Sequence, residues 1–290
     1  MTLSKIGVVG AGMMGSEIAL VFALAGHDVL ISDREKAVVE AGIKKLRTVL
    51  DAGISRGFYT SEQADAAMSR LRGANTLDQY ADRDFVVEAV FEDERAKADV
   101  HRRLDLMLKP EAVIASNTSS ISITTLGGQL PEPRRARFLG THFFSPVSRM
   151  KLVEVIPGLD TDPAIADSVS QLLASVGKEP VRVKDVVGFA VNRLLHVFVI
   201  EAIRLVEEGV ASPKDIDTAC KLGLGHPVGP FELMDGVTNN LSLDVQEILH
   251  ANYGPRFLPR PLLKAMVRAG YNGRKSGRGW YRYKDGKRVE

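Results

Sequence analysis

Lys5-Ile-Gly-Val-Val9 runs straight into Gly10-Ala-Gly-Met-Met-Gly15, and Ser16 to Ala25 follows with Ile18, Val21, Phe22 and Ala25 at helical spacing. Gly26 ends that stretch, and His27-Asp-Val-Leu-Ile-Ser-Asp33 returns as a second apolar run. A short apolar run of this kind has the length of a buried parallel strand, so the order strand, glycine turn, helix, strand reads as a βαβ unit. GxGxxG alone is a weak signal. Placed between a strand and a helix, with an acidic residue closing the next strand, it becomes the fingerprint of a dinucleotide site. Gly10 permits the tight turn, Gly12 the approach of a pyrophosphate and Gly15 the close packing of helix on strand, while the helix N-terminal amides around Ala11, Met13 and Met14 face the phosphates. Asp33 is placed to accept the adenosine ribose hydroxyls and repel a 2′-phosphate, which favours NAD. Arg34 beside it leaves NADP open.

Outward from this unit the alternation continues. Helices are expected over Glu35 to Gly53 and Ser61 to Leu71 (Ser61 as N-cap), then over Asp93 to Leu108 and Ala164 to Ser175. Strands are expected at Phe85-Val-Val-Glu-Ala-Val90, Ala112-Val-Ile-Ala-Ser116, Phe138-Leu-Gly-Thr-His142, Lys151-Leu-Val-Glu-Val-Ile156 and Val181-Arg-Val183. Strands alternating with helices imply an α/β fold with a doubly wound, mostly parallel, Rossmann-type sheet. From Gly188 the pattern turns all-α: one long helix to Glu208, another opened by Ser212-Pro213, then Phe231 to Leu249 and Pro261 to Ala269. The expected domains are therefore residues 1–186, binding NAD, and residues 187–290, all-α. The helices Asn192 to Glu208 and Phe231 to Leu249 are apolar on more than one side and so need more than one buried face. A homodimer through the second domain is the expectation.

Composition narrows the function classes. The 290 residues are 45% hydrophobic and 26% charged, an ordinary globular balance. A net charge of +2 gives no reason to expect nucleic acid as a partner. The segment 256–290 nevertheless carries 11 Lys/Arg against Asp285 and Glu290, and a phosphate-bearing ligand is one use for such a tail. A single cysteine, Cys220, excludes an intrachain disulfide and a thiolate metal cluster and fits a reducing cytoplasm. The longest apolar stretches are too short to span a membrane, the first residues enter the glycine-rich strand without a signal peptide, and no His/Asp/Glu cluster has metal-ligand spacing. Cytoplasmic, without a membrane or a metal, is the expected setting.

His142 stands out among six histidines because it ends a predicted parallel strand, where ligands bind in such sheets. Glu154, inside the apolar run Leu152 to Ile156, is expensive there unless paired. If the two strand ends are adjacent, it pairs with His142 and stabilises the protonated imidazole. Asn117-Thr-Ser-Ser120 follows another strand end and, by itself, reads as a turn or helix cap rather than as a site. Asn192 interrupts the apolar face of the first C-terminal helix and needs a partner.

Taken in order, Gly10-Ala-Gly-Met-Met-Gly15, Val87-Glu-Ala-Val90, Ala115-Ser-Asn-Thr-Ser-Ser120, His142-Phe-Phe-Ser-Pro146, Lys151-Leu-Val-Glu-Val155, Gly188-Phe-Ala-Val-Asn-Arg193, His226-Pro-Val-Gly-Pro230 and Gly273-Arg-Lys-Ser-Gly-Arg-Gly279 closely resemble the L-3-hydroxyacyl-CoA dehydrogenases, including the bacterial 3-hydroxybutyryl-CoA dehydrogenases, nearly end to end. The resemblance implies His142 as catalytic histidine and Glu154 as the carboxylate that orients it. It implies Ser119 in contact with both substrate and nicotinamide, and Asn192 positioning the reacting group. Cofactor contacts are implied at Glu92, Lys97, Asn117 and Lys275. Ser145 departs from the asparagine common in stand-alone members and is more like the dehydrogenase portion of multifunctional β-oxidation proteins. The family's CoA-contacting residues have no clean match, which leaves Arg56 as a candidate for a CoA phosphate.

The expected reaction is reversible, NAD-dependent oxidation of an L-3-hydroxyacyl-CoA, with 3-hydroxybutyryl-CoA as the expected substrate, in fatty-acid metabolism. Two other readings stay open: a dehydrogenase for a sugar acid or carnitine on the same fold, and a non-catalytic NAD-binding protein.

Overall fold

The structure, a computed structural model, describes residues 3–289. By its contacts the chain divides into two compact units, Met1–Val186 and Val187–Glu290.

In the first unit, β1 (Lys5–Val9), β2 (Asp28–Ser32), β3 (Leu71–Gly73), β4 (Phe85–Glu88), β5 (Val113–Ser116), β6 (Phe138–Phe143), β7 (Leu152–Pro157) and β8 (Glu179–Arg182) form one eight-stranded sheet in the order β3-β2-β1-β4-β5-β6-β7-β8. The pairings from β3 to β6 are parallel, β6 and β7 are antiparallel, and β7 and β8 are parallel again. The helices are α1 (Met13–Leu24), α2 (Lys36–Ser55), α3 (Ser61–Arg70), α4 (Glu94–Met107), the short α5 (Ile123–Gly127) and α6 (Glu132–Arg135), and α7 (Pro163–Ser175). Strands β4, β5 and β6 are buried along their whole length, which is why they read as unbroken apolar runs rather than alternating ones.

Local chemistry sets the ends of the helices. Thr60, not Ser61, caps α3: its side chain accepts from the Gln63 N–H, and the Gln63 side chain accepts in return from the Thr60 N–H. Asp93 caps α4 through the Ala96 N–H at 2.8 Å. Leu71, read from sequence as the last residue of a helix, instead leaves α3 and opens Leu71–Gly73, which pairs with β2 as the sheet's edge.

The second unit contains α8 (Val191–Glu207), α9 (Pro213–Gly223), α10 (Pro230–Val237), α11 (Asn239–Tyr253) and α12 (Pro261–Arg268), with a two-stranded hairpin of β9 (Tyr283–Lys284) and β10 (Lys287–Arg288). The single helix expected over Phe231 to Leu249 is two. Thr238, at φ 114°, leaves the helical region and caps α11 through the Leu241 N–H. Two buried carboxylates tie the C-terminal segment down. Asp217 accepts from the Phe231 and Glu232 N–H groups and the Tyr281 hydroxyl, and Asp235 from the Trp280 and Tyr281 N–H groups and the Tyr283 hydroxyl.

Candidate active site

Because β1, β4, β5 and β6 are parallel neighbours, the loops after them leave the same edge of the sheet. The winding direction reverses between β1 and β4, the place where such sheets open a ligand crevice.

The glycine turn after β1 is shaped by what each glycine faces. Gly10 sits at φ +106°, and a Cβ there would lie 2.5 Å from the Ala89 carbonyl oxygen. A Cβ on Gly15 would lie 1.8 Å from the Gly10 carbonyl oxygen, so α1 can approach β1 only without one. Gly12 is different: a Cβ there would meet no protein atom within 4 Å. No side chain caps α1 at Gly12, and the helix end needs an acceptor. Open space at an uncapped helix N-terminus fits a pyrophosphate. Asp33, at the end of β2, accepts the Ala11 N–H on one carboxylate oxygen at 2.7 Å and the Arg34 N–H on the other at 2.8 Å. Each oxygen can accept further bonds, as a ribose diol requires.

His142 and Glu154 are directly opposed in the antiparallel register of β6 and β7. His142 Nδ1 lies 2.8 Å from Glu154 Oε2, and both residues are buried. A carboxylate only accepts, so this contact places the proton on Nδ1 and leaves Nε2 as the basic nitrogen. Nε2 faces the Ser119 Oγ at 3.0 Å. The Phe144 ring, 4.5 Å between centroids, packs against the imidazole and holds its plane.

Ser119 is held in turn by Glu92. One oxygen of that carboxylate accepts from the Thr118 hydroxyl at 2.6 Å, the Ser119 N–H at 2.8 Å, the Ser120 N–H at 3.0 Å and the Ser120 hydroxyl at 3.1 Å. The segment Asn117–Ser120 is thus a turn wrapped on a carboxylate. The cap of the following helix is Ser122, whose side chain accepts from the Thr125 N–H. Asn117 Oδ1 accepts from the Phe143 N–H at 3.0 Å, which fixes the turn to the strand that carries His142.

Lys97, expected among the cofactor contacts, lies in the interior of the first unit. Its side chain is wholly buried, and Nζ donates to Glu88 at 2.8 Å, to the Asn117 carbonyl at 3.2 Å and to the Val90 carbonyl at 3.3 Å. Glu92, on the loop after β4, is more than a third exposed. Arg56 lies exposed just past the end of α2. Asn192, in the first turn of α8, and Lys275, in the turn Arg274–Ser276, belong to the second unit.

Three groups at this site escaped the sequence reading: the Thr118 and Ser120 hydroxyls on Glu92, Phe144 against the imidazole, and the buried set around Glu88. The last was within reach, because an acidic residue closing the apolar run Phe85-Val-Val-Glu88 needs partners for the reason Glu154 does.

A family model described as "3-hydroxyacyl-CoA dehydrogenase, NAD binding domain" matches residues 5–186, and one described as "3-hydroxyacyl-CoA dehydrogenase, C-terminal domain" matches residues 188–283. A 3-hydroxybutyryl-CoA dehydrogenase of Bradyrhizobium diazoefficiens is 41% identical over 288 residues, covering 99% of this chain and 98% of the relative. The mitochondrial hydroxyacyl-coenzyme A dehydrogenase of Sus scrofa is 38% identical, covering 97% of this chain and 92% of the relative. Among solved structures, the (S)-3-hydroxybutyryl-CoA dehydrogenase of Ralstonia eutropha superposes with a TM-score of 0.93 at 38% identity, covering 98% of this chain and all of that one.

Proposed function

This chain belongs to the 3-hydroxyacyl-CoA dehydrogenase family, and from that membership we propose how its own residues carry out the reaction. It is an NAD-dependent oxidoreductase that interconverts a 3-hydroxyacyl-CoA and the corresponding 3-ketoacyl-CoA. The substrate we assign is 3-hydroxybutyryl-CoA, in keeping with relatives of that name matched over almost the whole chain.

The observation that carries the mechanism is the line Glu154, His142, Ser119, with contacts of 2.8 and 3.0 Å. Bound NAD supplies the acceptor for the hydrogen that leaves C3 with its electron pair. His142 Nε2 takes the proton of the 3-hydroxyl, and the imidazolium that forms keeps Nδ1–H on Glu154. The Ser119 hydroxyl, freed from Nε2 by the incoming oxygen, donates to that oxygen and holds it in line. In the reverse direction Nε2–H returns the proton to the carbonyl oxygen. Asn192 is assigned to the substrate oxygen, Gly10 to Gly15 with Asp33 and Glu92 to NAD, and Lys275 and Arg56 to the phosphate-bearing parts of the ligands. Asn117 serves this site through the backbone of Phe143, and Lys97 through the loop carbonyls.

We assign residues 1–186 to NAD and the acid–base residues, and residues 187–290 to completing the substrate site and to dimerisation. Exposed leucines at 194, 222, 224 and 241 of the second unit support a homodimer. Among the described residues no helix is long and apolar enough to cross a membrane. The lone cysteine supports a cytoplasmic setting, and the proposed pathway is fatty-acid oxidation or its reverse.

The deciding experiment measures initial rates with acetoacetyl-CoA and NADH for the wild type and His142→Gln. General acid–base help is worth roughly 10²–10⁴-fold. The variant is expected to lose kcat on that scale while its Kd for NADH stays within about threefold, because the glycine turn is untouched. An inactive wild type overturns the substrate class, and an active variant removes His142 from the proton transfer.

A further inference from the structure

We propose that Glu88 is a positioning residue for this reaction, setting the Ser119 hydroxyl against His142 through Lys97 and the two loops that Lys97 joins. The proposal rests on the acid–base assignment above and extends it beneath the surface of the site.

Glu88 ends β4 with no exposed surface. A carboxylate without water requires full compensation, and four donors provide it. One oxygen accepts from the Val90 N–H at 2.7 Å and Lys97 Nζ at 2.8 Å. The other accepts from the Ser116 hydroxyl at 2.7 Å and lies 3.0 Å from His101 Nε2. The imidazole therefore presents Nε2–H to Glu88. Its Nδ1 has no partner among the described residues, and its ring packs edge-on against Phe138. Burial alone would raise the Glu88 pKa, yet the His101 hydrogen bond and the Lys97 charge hold it below the ordinary glutamate value.

This arrangement does more than neutralise a charge. Replacing a buried ion pair with apolar side chains is often neutral for stability, so stability alone does not call for one here. What the pair does is fix a geometry. With Glu88 anchoring it, the Lys97 ammonium reaches the Val90 carbonyl on the loop after β4 and the Asn117 carbonyl on the loop after β5. It also lies 3.5 Å from Glu92 Oε2, whose other oxygen holds the Ser119 and Ser120 N–H groups. Asn117 in turn holds the Phe143 N–H beside His142. One buried cation thus sets the separation of the loops that carry Ser119 and abut His142. A displacement of about 1 Å at a reacting centre costs on the order of 10²-fold, so the separation of these loops bears directly on rate.

The test is a double-mutant cycle in the full-length protein, Glu88→Gln with and without Ser119→Ala, reading kcat and KM for acetoacetyl-CoA, Kd for NADH and the ring-nitrogen NMR shift of His142. Glu88→Gln is expected to lower kcat about tenfold or more in the wild-type background and less than about twofold in the Ser119→Ala background, with the NADH Kd within about threefold. The Nε2 resonance should move in the direction that Ser119→Ala moves it, a readout that needs no turnover. Equal losses in both backgrounds overturn the proposal, as does an unchanged kcat, or an unchanged Nε2 resonance in Glu88→Gln. Should Glu88→Gln fail to fold, Glu88→Leu with Lys97→Met removes both charges and runs the same cycle. An inactive wild type would point instead to a wrong substrate class, with the NMR comparison still deciding the role of Glu88.

Discussion

Two imidazoles with the same 5% exposure, His142 and His196, sit in opposite surroundings. His142 has a carboxylate on one nitrogen and a hydroxyl on the other. His196, on α8, has no hydrogen-bond partner for Nδ1 among the described residues, and burial pushes its pKa down to about 4 from 6.5. The folded protein therefore keeps His196 neutral where the unfolded chain already binds a proton, and stability falls as pH drops from about 6.5 towards 4. At pH 5 the cost is about 2 kcal/mol. His196→Leu should narrow the difference in urea unfolding free energy between pH 7.5 and pH 5 by that amount, and an unchanged difference would show that the group titrates normally. Position in sequence separated these two histidines only in part. His142 was marked by its strand end, but nothing in a spacing of twelve residues distinguishes a cross-strand neighbour from a residue several strands away. Only the antiparallel register of β6 and β7 settles that.

At the level of elements, the turn from β1 into α1 separates folding from binding at two glycines three residues apart. Gly15→Ala forces a methyl group onto the Gly10 carbonyl and should lower Tm by several degrees. Gly12→Ala adds a methyl group where no protein atom lies within 4 Å, so Tm should hold while the Kd for NADH rises at least tenfold. Thermal melts with and without NADH distinguish the two, and a destabilised Gly12→Ala protein would mean that the space there serves packing. This turn was legible because glycine leaves few alternatives. Elements whose ends depend on tertiary partners were less so. Thr238 splits α10 from α11 inside a stretch whose apolar spacing reads as one helix, and Leu71–Gly73 becomes a strand only because β2 offers an edge. The grip of Glu92 on Thr118, Ser119 and Ser120 was equally hidden, since it joins two loops some 27 residues apart in the chain.

For the molecule as a whole, the second unit leaves Leu194 and Val197 of α8, and Leu241 and Ile248 of α11, in contact with solvent. Light scattering should report the mass of two chains, and Leu194→Glu with Leu241→Glu should shift it towards one. A monomeric wild type would leave those side chains unexplained. The hairpin of β6 and β7 carries a different consequence, one of timing. Its acid–base pair lies twelve residues apart, whereas Ser119 is 23 residues from His142 and must arrive from β5. Short loops close at lower entropic cost than long ones. In refolding, the imidazole should therefore acquire its anion before it acquires its hydroxyl, and regained turnover should lag behind protection of the hairpin amides. On that order the proton's resting place is fixed before the hydroxyl that holds the reacting oxygen in line.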